Sequence, residues 1–259
     1  MDFLQLKQLK ILIVGDSCED VYHYGSCTRL SPEAPVPVFK EERVHVAPGM
    51  SANVRENLKQ FGCSVTHITH LEQITKRRFV DSRFKQHLLR VDQGENQQIQ
   101  PINLDTLPLD VNAVFVSDYN KGFLRHDDCE KICNIYNDKH IPIFVDSKKK
   151  DLSCFSGCFV KINEKEDEEC TGRPTDSETI ITLGPAGAKH KNKVYPTDPV
   201  EVFDVSGAGD VFLTVFGLCF LLKADIEHAI LIANKCSSRS VTSFGTYVLS
   251  KEDINDLCV

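Results

Sequence analysis

Apolar residues recur along this chain in two distinct patterns. The first is the short apolar-rich run, seen at residues 11–14, 113–116, 141–145, 159–162 and 179–183. Runs of this length, rich in Val, Ile and Phe, read as strands covered on both faces, as in a parallel sheet. The second pattern has helical spacing. Val54, Leu58 and Phe61 mark one stripe over residues 51–62, and Gly62 is a terminator. Further helices are predicted over 124–138, 208–222, 225–243 and 251–258, the last opened by a capping box between Ser250 and Asp253. The stretch 211–222 is apolar all round, which predicts a helix buried on every side. From residue 113 onward strand and helix alternate, so the expected fold class is α/β: a mostly parallel sheet with helices on both faces.

Two segments depart from that pattern. Ala34-Pro-Val-Pro-Val38 is held extended by its prolines, and Val44-His-Val46 alternates like a strand with one wet face. Residues 76–92 are also strand-like and polar. These segments are expected to pair as a small sheet projecting from the main body, within one domain spanning residues 1–259. No internal repeat or low-complexity stretch interrupts this organisation.

Composition narrows the function. A hydrophobic fraction of 41% supports a substantial core. A net charge of −7 argues against general binding to nucleic acid or anionic membranes. No apolar run reaches membrane-spanning length, and the first ten residues lack a secretion signal's apolar stretch and cleavage site, so a cytoplasmic protein is expected. Eleven cysteines then read as reduced thiols. Two C-x-x-x-C pairs, Cys129/Cys133 and Cys154/Cys158, raise zinc as a possibility, but neither has finger spacing. Cys129, Ile132, Cys133 and Tyr136 share one helical face, which favours core packing.

The strongest chemical signal is Phe-Asp-Val-Ser-Gly-Ala-Gly-Asp at 203–210, just before the buried helix. A glycine-rich turn at a helix N-terminus presents backbone N–H groups to an anion. A carboxylate in the first helical turn beside that hole, here Asp210, is placed to act as a general base. The string suggests phosphoryl transfer, with Asp210 taking a proton from an attacking hydroxyl. Taken alone it also fits an ordinary tight turn whose Asp210 complements the helix dipole. Polar groups just after the predicted strands weigh against that: Asp16 and Asp20, Ser117–Gly122, Asp146-Ser-Lys148, Asn163–Glu166 and Thr182–Gly187. Open α/β sheets bind ligands outside the carboxyl ends of their strands.

The ordered set of these strings resembles the PfkB or ribokinase-like carbohydrate kinases, most nearly the kinase domain of bacterial heptose-7-phosphate kinases. The resemblance covers nearly the whole chain. It rests on Val14-Gly-Asp-Ser-Cys-Glu-Asp20, Thr28-Arg-Leu-Ser-Pro-Glu-Ala-Pro-Val-Pro-Val38, Pro48-Gly49 with Ala52-Asn-Val54, Leu88-Leu-Arg-Val-Asp92, Val116-Ser-Asp-Tyr-Asn-Lys-Gly122, Lys161-Ile-Asn-Glu-Lys-Glu166, Thr182-Leu-Gly184, residues 203–210 and Phe244-Gly-Thr246. It implies an ATP-dependent kinase acting on a sugar or sugar-phosphate hydroxyl, most like a heptose 7-phosphate 1-kinase. Asp210 would be the base, and Gly207, Ala208 and Gly209 the anion hole. Asn163 and Glu166 would organise Mg²⁺, mostly through water. Lys161, Thr182, Gly184, Ser206 and Asn234 would face the nucleotide, and Asp16, Asp20, Gly49, Asn53, Asp118 and Lys121 the sugar. Asp204 and Ser206 match a loop that binds a monovalent cation such as K⁺ in some relatives. The projecting strands, from about 20–47 and 76–97, would form a lid that also clasps a homodimer.

The chain departs from the family pattern in three places. Met50 replaces the second glycine of a Gly-Gly pair and would either intrude on the sugar site or bend away. The link at 67–74, with His67 and His70, is short and lacks a family helix, and residues 167–178 lack most of another. No nucleotidyltransferase half is expected. A kinase-like ligand-binding or scaffold protein without turnover is the alternative. The basic run Lys76-Arg-Arg78 with Arg83 and Lys85 reads as a sugar-phosphate contact or as a solvated strand face.

Overall fold

The computed structural model describes residues 3–174 and 176–257. A short helix α1 (Phe3–Leu6) leads into β1 (Lys10–Gly15), then two long strands, β2 (Ser17–Leu30) and β3 (Pro37–Met50). Next come α2 (Ser51–Gln60), β4 (Ser64–Ile68), β5 (Thr75–Asp81), β6 (His87–Gln93), β7 (Ala113–Asp118), α3 (His126–Asn137), β8 (Ile143–Ser147) and β9 (Phe159–Asn163). The chain continues through α4 (Glu164–Glu169), β10 (Glu178–Thr182), β11 (Ala188–His190), β12 (Lys193–Tyr195), α5 (Ala208–Lys223), α6 (Ile226–Ser240) and α7 (Lys251–Leu257).

The strands form two sheets. The larger has the order β12-β11-β10-β9-β8-β7-β1-β4, parallel from β4 to β10 and closed by an antiparallel hairpin. The smaller has the order β3-β2-β5-β6, with β2 and β5 parallel and the other pairs antiparallel. The predicted α/β class, with its projecting sheet, is the observed one.

Apolar burial explains the layers. On one face of the larger sheet, Ile11, Ile13, Phe115 and Phe144 meet Val54 and Leu58 of α2, Phe61 just after it, and the buried residues of α5 and α6. On the other face, Leu12, Val14, Val114 and Val145 meet Cys129, Ile132, Cys133 and Tyr136 of α3. The cysteine face of α3 is therefore core, and Cys133 Sγ lies 3.4 Å from Cys158 Sγ. No group of His, Cys, Asp or Glu among the described residues is arranged to hold a metal on its own. Helix α5 is buried along most of its length, as its uniform apolarity requires. Its Gly217 permits close approach to the sheet, since a Cβ there would stand 2.4 Å from Phe115 Cζ. No helix among the described residues is long and apolar enough to cross a membrane.

Several elements differ from expectation. Asp20 lies within strand β2 rather than in a loop after β1. The segment 76–92 is a hairpin of two strands. Strand β4 and the hairpin β11–β12 were not legible, because they are short and largely polar. The box between Ser250 and Asp253 is present, with Asp253 N–H donating to Ser250 Oγ at 3.1 Å and Ser250 N–H to Asp253 Oδ2 at 2.9 Å. Residue 258, at the predicted end of that helix, lies outside the described residues.

The chain crosses between the two sheets at two adjacent points. Asp16 alone separates β1 from β2, and Met50 ends β3 directly before α2. Ser17 pairs with Met50, and Ser51 N–H donates to Asp16 O at 3.0 Å, so both crossings are stitched together. The short link after β4 is clipped by its histidines. His67 Nε2 meets Ser51 Oγ at 2.9 Å, and His70 Nε2 accepts from Ser17 N–H at 3.2 Å.

Candidate active site

Helix α5 begins at a turn that only glycine suits. Gly207 has φ 80° and ψ −2°, in the left-handed region. A Cβ there would also stand 2.7 Å from Asn53 Nδ2. Ala208 N–H turns back to Val205 O at 3.3 Å and Val211 N–H to Gly207 O at 3.0 Å, while the intervening Gly209 and Asp210 line a cleft of about 720 Å³. Asp210 is buried in the first turn. Its Oδ2 accepts from Asn53 Nδ2 at 3.0 Å and its Oδ1 from the Tyr119 hydroxyl at 3.2 Å. Burial pushes its pKa up to about 6, although the Asn53 hydrogen bond and two lysines pull the other way. That value suits a proton acceptor working near neutral pH.

Below the turn lies a group of opposite charges. Asp146, at the end of β8, takes Lys161 on Oδ2 at 2.6 Å and Lys148 on Oδ1 at 3.0 Å. Burial alone would raise the Asp146 pKa, but the two ammonium groups hold it at about 2. Lys161 is 4% exposed, and its ammonium backs the anion turn, since a Cβ on Gly209 would stand 2.7 Å from it. Lys148 also reaches Glu166 Oε1 at 2.6 Å. Asn163 and Glu166 cap α4 reciprocally: Glu166 N–H donates to Asn163 Oδ1 at 2.9 Å, and Asn163 N–H donates to Glu166 Oε2 at 2.8 Å. The N-x-x-E string is thus also a capping box, which leaves Glu166 Oε1 turned to Lys148.

The residues expected to face the sugar divide into two sets. Asp16 Oδ2 accepts from Tyr119 N–H at 2.8 Å and Lys121 N–H at 3.2 Å, while its buried Oδ1 has no partner. Burial and neighbouring Asp118 raise its pKa. Asn53 holds Asp210, and Lys121 Nζ meets Glu95 at 2.8 Å. Asp20 and Asp118 are engaged elsewhere. Asp20 is paired with Arg78 and accepts from Thr246 Oγ1 at 2.7 Å. Asp118 accepts from Ser147 Oγ at 2.6 Å and Lys149 Nζ at 2.7 Å, which anchors the loop after β7. Gly49 lies against Asp20, where a Cβ would stand 2.5 Å from Oδ2.

Met50 bends away from the cleft. Its side chain is 3% exposed, packed in the α3-side core with Leu12, Val14, Cys18 and Ile74. Its backbone has φ 57° and ψ −134°, a conformation that favours glycine. Met50→Gly should relieve strain of about 1–3 kcal/mol but remove packing worth about 2–5 kcal/mol. The expected net loss in urea denaturation is about 1–2 kcal/mol, and an equal gain would show that strain dominates.

Of the residues expected to face the nucleotide, Thr182, Gly184 and Asn234 line the cleft with Lys161 and Asn163. Asn234 Nδ2 donates to Tyr195 O at 2.8 Å, fixing it against the hairpin. Asp204 ties its own loop to the next, accepting from Ser206 N–H at 2.9 Å and Gly245 N–H at 3.1 Å. Three residues gained significance only here: Tyr119 on Asp210, and Asp146 with Lys148 on the cleft floor. All stand in the polar strings at the carboxyl ends of β7 and β8, the one signal that marked them.

Comparison with known proteins completes the description. A family model described as pfkB family carbohydrate kinase matches residues 69–253. The bifunctional protein HldE of Campylobacter jejuni is 29% identical over 98% of this chain, and that of Pseudomonas putida 30% over 95%. The chain spans 66% and 63% of the length of those relatives. Among solved structures, ribokinase from Thermotoga maritima matches with a TM-score of 0.68 at 16% identity, covering 96% of this chain and 99% of that one. Escherichia coli phosphofructokinase-2 in complex with potassium matches with a TM-score of 0.74 at 15% identity, covering 96% and 98%.

Proposed function

Since the chain belongs to the pfkB family of carbohydrate kinases, we propose that it transfers the γ-phosphoryl group of ATP to a hydroxyl of a sugar or sugar phosphate, with Asp210 as general base. The observation that carries this reading is the position of Asp210. Its carboxylate stands between Asn53 and Tyr119, in the same cleft as the Gly207–Gly209 turn and the Lys161 ammonium. Phosphoryl transfer asks mainly for alignment and charge stabilisation, and these groups supply both.

In this mechanism, Asp210 accepts the proton of the acceptor hydroxyl as that oxygen attacks. Asn53 orients the carboxylate. The amides at the start of α5 and the Lys161 ammonium take up charge on the transferring group. Asp146 and Asn163 line the cleft and Glu166 meets the cleft-lining Lys148; their hard oxygen donors suit Mg²⁺ bound largely through water. When bound, that ion would neutralise phosphate charge. The strings shared with heptose-7-phosphate kinases favour a heptose 7-phosphate as acceptor. The loop at Asp204–Ser206 is the candidate for a potassium ion of the kind named for phosphofructokinase-2. Val44, Val46, Phe79 and Leu89 share the outer face of the smaller sheet by register, and three of them are exposed, which supports a homodimer through the lid.

The test is ADP release in a coupled assay over a panel of sugars and sugar phosphates with Mg-ATP, followed across pH. Asp210 must be ionised to accept a proton. With its pKa at about 6, kcat/KM should fall roughly tenfold per pH unit below that value. No ADP with any acceptor would remove the reading, and an acid limb near the ordinary carboxylate range would remove Asp210 as base.

A further inference from the structure

Asp146 stands at the end of β8 and Glu166 in the first turn of α4, and one ammonium joins them. Lys148 Nζ is 3.0 Å from Asp146 Oδ1 and 2.6 Å from Glu166 Oε1. The other oxygen of Asp146 belongs to Lys161. The two lysines are not alike. Lys161 is sealed in behind Gly209, whereas the Lys148 side chain is 29% exposed in the cleft wall, 5.5 Å from the centre of the Tyr119 ring. Lys148 is therefore the cation able to move.

Its position has a consequence for any cation entering the cleft. Asp146 and Glu166 are the two carboxylates of the candidate Mg²⁺ donor set, and Lys148 lies between them. An ammonium and a divalent cation are alternatives for the same oxygens. The four side chains Asp146, Glu166, Lys148 and Lys161 sum to zero charge, so a dication alone would leave a strong positive excess in a confined site. A nucleotide's phosphates cancel that excess and give the Lys148 ammonium a new partner.

We infer that Lys148 is an internal competitor for the divalent cation, which yields Asp146 and Glu166 when nucleotide phosphates draw its ammonium away, so that metal and nucleotide bind cooperatively. This rests on reading the cleft as the Mg-ATP site. The coupling is a property of binding and is reciprocal: metal strengthens nucleotide by the factor by which nucleotide strengthens metal. Lys148 is a positioning residue here, acting through the two carboxylates.

Manganese makes the inference measurable without turnover. Free Mn²⁺ is titrated by electron paramagnetic resonance against the whole chain, with and without ADP, in wild type, Lys148→Met and Lys148→Arg. Lys148→Met should bind Mn²⁺ alone about tenfold tighter than wild type, and ADP should enhance its Mn²⁺ affinity correspondingly less. Lys148→Arg keeps the charge and should follow wild type. Lys148→Gln carries the same expectation as Lys148→Met and replaces it if that variant does not fold. A wild type that binds Mn-ADP while Lys148→Met shows no change in either quantity overturns the inference alone. A wild type that binds neither Mn²⁺ nor ADP overturns the kinase reading and the inference with it.

Discussion

Asp210→Asn should abolish turnover and raise the melting temperature in the same protein. The loss follows from the base: an amide cannot accept the acceptor's proton, and such a role is worth about 10²–10⁴-fold in rate. The gain follows from burial. The folded-state pKa of Asp210 is about 6 against an ordinary 3.8. A carboxyl raised in this way contributes stability in full below its unfolded pKa, and that contribution is lost as pH rises through the folded value. At neutral pH the buried charge therefore costs up to about 3 kcal/mol. Asparagine removes the charge and keeps the contacts. Its carbonyl accepts from Asn53 Nδ2, and its amide donates to the Tyr119 hydroxyl. Coupled assays and thermal melts at neutral pH read both halves. Turnover equal to wild type would eliminate the base role, and a lowered melting temperature would show that Asp210 is structurally needed as a charge.

Asp146→Ala should give the largest loss of stability among single changes in the cleft. Lys148 has Glu166 as a second partner, but Lys161 has only Asp146 as its ion-pair partner among the described residues, and is 4% exposed. Removing one member of a buried pair costs about 3–5 kcal/mol, because the remaining charge is left without water or partner. The sign of the pH dependence is opposite to that of Asp210. The Asp146 pKa is held at about 2, so its stabilisation is present above the ordinary 3.8 and is lost as pH falls towards the folded value. The gap between wild type and Asp146→Ala in urea denaturation should accordingly be full at neutral pH and narrow in acid. Replacing both partners, as Asp146→Leu with Lys161→Met, should recover much of the loss. A single-mutant effect below about 1 kcal/mol would mean that Lys161 finds another partner or water.

These two carboxylates show how unevenly the site could be read from sequence. Asp210 was legible because its meaning is local: a glycine turn, a helix start and an acid stand within four residues of one another. Asp146 stood in a string that marked a strand end but assigned no role. Its role depends on Lys148 two residues on and Lys161 fifteen residues on, brought together because β8 and β9 are parallel neighbours. Asn163 and Glu166 carry a metal-side expectation that comes from the family resemblance. The same spacing is a helix-capping signature, and the side chains serve the cap directly. Asp20 and Asp118 fell in the expected strings, yet their oxygens are engaged by Arg78, Thr246, Ser147 and Lys149. No spacing rule exposes such partners, since Thr246 is 226 residues away from Asp20.

By itself the sequence determined most strands of the larger sheet, the principal helices and their layering. Short apolar-rich runs suit strands covered on both faces, and a helix apolar all round must be buried, so the α/β architecture and the central place of α5 follow from the hydrophobic effect. It also determined the glycine turn that opens α5, because helix termini and glycine geometry act over a few residues. The tertiary structure decided which charges meet. It turned Met50 into the core, placed Tyr119 and Asn53 on the two oxygens of Asp210, and set Lys148 between Asp146 and Glu166. Electrostatic partners and pKa values depend on distance and burial, and both come into being only when the sheet brings distant strand ends to one cleft.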